Sequence, residues 1–242
     1  MTRIVGIIPA RMGSSRFPGK PLARILDLPM IEHVYRRTAS CDQLQEVFVA
    51  TCDAEIKSVV EEFGGRVIMT SSSHERATDR VAEAAEHVEA DIVVMVQGDE
   101  PMITAGMIEA SLEPLISDGS VDCVNLIRQI TSKAEYLDPN TIKVVADACG
   151  NALYFSRAPI PGGEFTDDIV AFKQVCVIPF RRSLLREFAR LSQTPLERSE
   201  SIDMLRLIEN GYRVRLVETD VVSHAVDTPE DLQLLEELMK NR

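Results

Sequence analysis

Paired cysteines, positive charge and long apolar runs are scarce in this chain, and each shortage narrows what it can be. The five cysteines (Cys41, Cys52, Cys123, Cys149 and Cys176) contain no CxxC pair and are odd in number, which fits a reduced, cytoplasmic protein. Lysine and arginine total 26 against 38 aspartate and glutamate, a formal net charge of −12. A general nucleic-acid binder shows a basic surface instead, so nucleic acid is not an expected partner. No apolar run approaches the roughly 18 residues of a membrane span, and no charged-then-apolar leader opens the chain. The expectation is therefore neither secretion nor membrane insertion. His33, His74, His87 and His224 show no metal-ligand spacing, and no Ser-His-Asp or Cys-His set suggests itself. There is no repeat, low-complexity tract or linker.

What is present suits one sizeable globular domain: 242 residues, 45% of them hydrophobic. Strand-like runs at 3–8, 46–52, 66–70 and 91–97 alternate with helical patterns at 30–38, 54–65 and 77–89. The run "DIVVMVQ" is apolar on both faces, as in the centre of a parallel sheet. Alternation of this kind predicts βαβ units and a Rossmann-like α/β sheet flanked by helices. From 120 the pattern loosens into strand-like runs at 120–130, 141–147, 151–157 and 170–180, an antiparallel elaboration at about 120–180 within a single domain spanning 1–242. Helices are predicted in "RSLLREFARLS", in "PLERSESIDMLRLIENG" as one piece closed by Asn210-Gly211, and at the C-terminal end, where Thr228, Pro229 and Asp231 form a capping-box start. A last strand is read at 213–219.

The stretch "GIIPARMGSSRFPGKP" sends the first strand into a loop rich in glycine and cations. Gly13 and Gly19 allow close backbone approach, and Arg11, Arg16 and Lys20 bring charge, at the edge of the sheet where α/β proteins bind ligands. The spacing is neither Walker A nor GxGxxG, because five residues separate Gly13 from Gly19 and Pro21 follows Lys20. The loop reads as a grip for a nucleoside triphosphate; the alternative is a surface loop with ordinary arginines. In "VQGDEP" a buried strand delivers Asp99 and Glu100, which read either as a Mg²⁺ site or as a turn. Asp227 in "HAVDTPED" offers a second carboxylate, or simple helix-start chemistry. Arg157 follows another strand and suits a carboxylate, a phosphate or a structural ion pair.

Taken together, "IIPARMGSSRFPGKPL", "ATDRVAEA", "VQGDEPMI", "DPNTIKVV", "ALYFSRAPIP", "PLERSESIDMLRLIENGYRV" and "VDTPEDL" resemble, in order, the 3-deoxy-manno-octulosonate cytidylyltransferases, or CMP-KDO synthetases. The resemblance runs from about residue 3 to about residue 238. It implies a mixed-sheet nucleotidyltransferase that is a homodimer through the 120–180 elaboration. The implied reaction transfers CMP from CTP to the anomeric hydroxyl of a 2-keto-3-deoxy sugar acid and releases pyrophosphate, with Mg²⁺ as cofactor and a role in lipopolysaccharide synthesis. On the resemblance Arg11, Arg16 and Lys20 are the catalytic cations. The nucleotide-binding set is Ala10, Arg11, Gly13, Ser14, Ser15, Lys20, Arg76, Thr78, Gln97 and Asp99. Asp99 and Asp227 hold the metal, and Arg157, Gln174, Asp203 and Met204 face the sugar acid.

The chain departs from the family pattern at three places. "HERATDR" carries Arg76 and Ala77 where the family has Ser-Gly. "KQVCVIPF" carries Gln174, Cys176, Ile178 and Pro179 in place of a His-x-Gly-Ile-Tyr strand. "DMLR" carries Asp203 and Met204 for Glu-Gln, which removes an amide. These changes suggest an altered acceptor, such as 8-amino-KDO or a non-KDO acid. A non-catalytic nucleotide-binding homologue is the alternative from another class; Lys20, Asp99 and Asp227 argue against it.

Overall fold

Six consecutive buried residues make Ile4–Pro9 the inner strand β1 of a parallel sheet. The computed structural model describes residues 2–13, 17–166 and 169–240. It divides into two compact units, one made of residues 1–109 with 222–242 and the other of 110–221.

In the first unit, a short hairpin of β2 (Arg24–Ile25) and β3 (Leu28–Pro29) precedes α1 (Met30–Ala39). Strand β4 (Glu46–Thr51), α2 (Ala54–Glu62), β5 (Val67–Met69), α3 (Ala77–Glu86) and β6 (Ile92–Val96) follow. The parallel strands lie in the order β6-β1-β4-β5. Ile7 pairs with Met95 on one side and Phe48 on the other, so β1 and β6 finish next to each other. β6 is buried at every residue, as the two-sided apolar run predicts. The last helix, α9 (Pro229–Lys240), returns to this unit. Its Leu235 packs with Ile25, Met30, Met102 and Val226, against which Phe17 and Leu232 also lie. Each such buried aliphatic side chain contributes about 1.5–3 kcal/mol, which fixes both ends of the unit's chain beside the sheet edge. A helix not expected from the sequence, α4 (Ala105–Ser117), contains the boundary between the units.

The second unit contains β7 (Val124–Gln129), α5 (Lys133–Leu137), β8 (Lys143–Ala146), β9 (Ala152–Ser156), β10 (Phe172–Val175) and β11 (Val177–Arg181). Helices α6 (Arg182–Arg190), α7 (Pro195–Glu200) and α8 (Met204–Glu209) lead to β12 (Arg215–Glu218). Its sheet order is β12-β7-β10-β8-β9, antiparallel except for β12 beside β7.

Two readings need correction. The run 170–180 is two strands separated at Cys176. The helix expected across "PLERSESIDMLRLIENG" is two helices, because Ser201 adopts a left-handed conformation (φ 56°). The corner has a packing reason. Arg206 clasps Glu197 with Nε–Oε2 at 2.8 Å and Nη2–Oε1 at 2.6 Å. In one continuous helix nine residues would separate the pair by about 13.5 Å along the axis; the turn at Ser201 brings them into contact.

Candidate functional site

Parallel pairing of β1 with β6 sets the segments leaving both strands side by side. They approach so closely that a Cβ on Gly98 would lie 2.8 Å from the Pro9 carbonyl oxygen. Only glycine fits there without displacing backbone. The loop after β1 is clipped at its neck through Met12: its amide donates to Asp53 Oδ2 at 2.8 Å, and its carbonyl accepts from Gly19 at 3.1 Å. Gly19 then turns left-handed (φ 73°) into the short 3₁₀ turn that carries Lys20.

Lys20 Nζ reaches Asp99 Oδ2 at 2.7 Å and Asp227 Oδ1 at 3.3 Å. Burial is the largest single influence on this amine and would lower its pKa, but the charge and hydrogen bonds of Asp99, and then of Asp227, outweigh it and hold the pKa above its ordinary value. The side chain is 14% exposed, so this is not a solvent-screened surface pair.

Asp227 is placed by its neighbours. Val226 donates to the Asp99 carbonyl at 3.0 Å. Asp231 Oδ2 accepts from the amides of Asp227 (2.9 Å) and Thr228 (2.8 Å) and from the Thr228 hydroxyl (3.0 Å). The Asp231 amide donates back to Thr228 Oγ1 at 3.2 Å, completing the capping box read from the sequence.

These groups open onto a cleft of about 250 Å³. Among the sequence-predicted residues, Ala10, Arg11, Lys20, Arg76, Gln97, Asp99 and Asp227 line it together. His74, Glu75 and Arg80 line it as well, and the sequence patterns do not single them out. Arg80 is pinned, its guanidinium donating to Thr70 Oγ1 at 2.6 Å and to the Ser71 carbonyl at 3.3 Å. Glu83 accepts from the Ser71 amide at 3.0 Å and pairs with His74, which ties the entry of α3 to the strand before it. Cations thus face carboxylates across a small volume. This arrangement has the charge to hold a polyphosphate and carboxylate oxygens that could take a divalent metal.

The remaining predicted residues lie elsewhere. Gly13 is exposed in the loop, with open space for 4 Å around the point where a Cβ would stand. Ser14, Ser15 and Arg16 lie outside the described residues. Thr78 is fully buried, its hydroxyl directed to Met95 Sδ at 3.8 Å, and it does not line the cleft. Glu100 is also buried.

In the second unit, Glu200 gathers Ser156 Oγ (2.9 Å) and the Arg157 amide (2.8 Å) on its carboxylate, while its carbonyl accepts from Arg157 Nε at 2.7 Å. Arg157 also donates to the Pro139 carbonyl at 3.0 Å. Lys143, fully buried, is caged by the carbonyls of Asp138 (2.8 Å), Thr141 (2.6 Å) and Arg157 (2.6 Å). Gln174 donates its amide to Asn125 Oδ1 at 2.6 Å. Asp203 stands at the start of α8, and Met204 is packed in the core.

The whole chain is similar to known proteins. A family profile described as cytidylyltransferase matches residues 5–219. The 3-deoxy-manno-octulosonate cytidylyltransferase of Geobacter metallireducens is 47% identical over 241 residues, covering 95% of both chains. That of Syntrophotalea carbinolica is 48% identical over 242 residues, covering 96% of this chain and 97% of its own. Among solved structures, a CMP:2-keto-3-deoxy-manno-octonic acid synthetase complexed with CTP superposes with a TM-score of 0.91 at 40% identity, over 99% of each chain.

Proposed function

Because the chain belongs to the cytidylyltransferase family, we infer that it transfers CMP from CTP to the anomeric hydroxyl of 3-deoxy-manno-octulosonate and releases pyrophosphate. It is a nucleotidyltransferase with the mixed α/β fold of that enzyme class. The observation that carries the reading is the convergence of Lys20, Asp99 and Asp227 at the adjoining ends of β1 and β6.

The reaction forms a bond between the acceptor oxygen and the α-phosphorus, breaks the bond from that phosphorus to the bridging oxygen of pyrophosphate, and releases the acceptor's hydroxyl proton to solvent. Such a transfer needs positioning and charge neutralisation more than covalent help. Arg11, Lys20 and Arg76 are proposed to hold the triphosphate, with Arg16 acting alongside them. Ala10, Gly13, Ser14, Ser15 and Gln97 complete the proposed nucleotide set; Thr78, buried against Met95, is left out of it. Arg157 is the cation proposed for the carboxylate of the sugar acid, with Gln174 and Asp203 as the other proposed acceptor residues; Met204, packed in the core, is left out.

Asp99 and Asp227 suit Mg²⁺. Their oxygens converge on one cationic group, and Mg²⁺ takes one or two carboxylates with phosphate and water making up the rest. Bound there, the ion would neutralise phosphate charge. No helix among the described residues is long and apolar enough to cross a membrane. A cytoplasmic location is proposed from the five free cysteines, which suit a reducing compartment. A homodimer formed through residues 120–180 is proposed from the family resemblance.

Pyrophosphate release from purified protein, CTP, Mg²⁺ and a panel of acid acceptors tests the reading. Release with 3-deoxy-manno-octulosonate supports it. Release only with a different acid would move the assignment to another acceptor, and no release with any acceptor or nucleotide would refute catalysis.

A further inference from the structure

The two carboxylates proposed to hold metal already share a cation, which is the chain's own. Lys20 Nζ lies 2.7 Å from Asp99 Oδ2 and 3.3 Å from Asp227 Oδ1, at the point where both side chains aim. A second observation concerns the metal. Among the described residues, no three His, Cys, Asp or Glu side chains gather to hold an ion. The protein therefore contributes two carboxylates to an ion that demands near-octahedral oxygen coordination and gives up its water reluctantly. An ion arriving alone would gain two ligands and meet an ammonium at contact distance.

The means of removing that ammonium is in the same cleft. Lys20 carries a compact point charge on a flexible four-carbon stem. Its backbone is held from behind, by Phe17 at 3.2 Å and by the turn to Ala23 at 3.1 Å, so the side chain can change partner without moving the loop. Arg11 and Arg76 line the same cleft and offer charge to a triphosphate.

We propose that Lys20 is an internal counter-ion that keeps the Asp99–Asp227 pair closed to divalent metal until a triphosphate arrives. The phosphate oxygens give the ammonium a new partner and supply the metal's missing ligands, so metal and nucleotide enter together. Lys20 thus has two successive partners, first the aspartates and then phosphate. The proposal rests on the reading of Asp99 and Asp227 as metal ligands.

The test reads metal binding directly, with Mn²⁺ as probe, by electron paramagnetic resonance and calorimetry on the full chain without acceptor. Wild-type protein is expected to bind Mn²⁺ alone weakly. Lys20→Met is expected to bind it on the order of tenfold more tightly or better, because a positive charge in contact with both ligands is gone. Lys20→Arg, which keeps the charge, is expected to stay weak. Adding Asp99→Asn to Lys20→Met is expected to abolish the gain. Equal Mn²⁺ affinity in wild type and Lys20→Met overturns the counter-ion role and leaves the ligand assignment standing. If Asp99→Asn changes Mn²⁺ binding neither alone nor with CTP, the ligand assignment falls and the proposal falls with it. Thermal unfolding of the unaltered protein covers the case in which the substitution impairs folding. Mn²⁺ alone should leave the midpoint unchanged and Mn²⁺ with CTP should raise it; a rise of equal size with Mn²⁺ alone overturns the proposal.

Discussion

Val226 donates its amide hydrogen to the carbonyl of Asp99 at 3.0 Å, and this bond stands Asp227 next to Asp99 although the two are far apart along the chain. The cleft is organised by main-chain contacts of this kind, behind the side chains that line it. Two consequences can be measured there, and a further prediction concerns the second unit.

Gly98 sits in the narrowest of these contacts. Replacing it with alanine would put a Cβ 2.8 Å from the Pro9 oxygen, and the obstacle is backbone rather than a side chain that could swing away. Gly98→Ala is expected to cost about 1–3 kcal/mol of stability, as overpacking does, and to lower kcat/KM for CTP by about tenfold, since about 1.4 kcal/mol of misplacement is enough. Urea unfolding and steady-state kinetics read the two effects. Unaltered values in both would show that the two strand exits can spread freely.

Asp231 carries a pH signature. Burial is the largest influence on its carboxyl and would raise the pKa, but the amides of Asp227 and Thr228, the Thr228 hydroxyl and the nearby His224 together bring it below the ordinary value of 3.8. A depressed carboxylate contributes stability that is complete above its unfolded pKa and is lost as pH falls through the lower folded value. Wild-type stability should therefore decline below about pH 4, and part of that decline should vanish in Asp231→Asn. At neutral pH the substitution should cost about 1 kcal/mol, as loss of a helix cap does. Denaturant titrations across this range decide it; parallel acid profiles for the two proteins would refute the assignment.

Glu197 and Arg206 form the most enclosed ion pair described in the second unit, with side chains 0% and 2% exposed. The Arg206 guanidinium also lies 4.1 Å from the Phe188 ring centroid. Removing one partner strands a buried charge, so Glu197→Ala or Arg206→Ala should destabilise by about 3–5 kcal/mol, whereas an apolar pair of matching volume should recover most of the loss. Equilibrium unfolding of the single and double variants measures this. A single-variant loss under about 1 kcal/mol would mean that water reaches the pair.

The strand-and-helix alternation of the first unit was legible because β1 and β6 are apolar throughout and the intervening helices keep a helical spacing. The loop after β1 stood out because its composition, glycine with cations, is unusual in an acidic chain. The direction a side chain faces is harder to read. The family resemblance puts Thr78 at the nucleotide, yet it lies one turn before Val81 and two before Ala85, and that periodicity already assigns it to the buried face. In the same way Met204 belongs with Leu205 and Leu207 in the core.

Other features left weaker traces. Met107, Ile108, Ser111, Leu112 and Leu115 do recur at helical spacing within α4, but Pro114 in the same run argues for a break. The corner at Ser201 has no glycine or proline to announce it and follows from a contact nine residues long. The tie from Asp53 to Met12 spans 41 positions, a separation at which local patterns carry no information. Arg80 lies in plain view inside "ATDRVAEA", but only the fold shows that it borders the cleft.

The first unit is discontinuous in sequence, with all of 110–221 inserted between its two parts. On the ribosome Asp99 emerges early and must wait while the whole second unit is made. Asp227, the capping box behind it and α9 come out only after that unit. The cleft is therefore completed only after the whole second unit has been made. A chain that stops before residue 222 loses one of the two aspartates along with the helix that packs against Ile25 and Met30. Termination just before residue 222 should therefore be as damaging to the cleft as termination before residue 110.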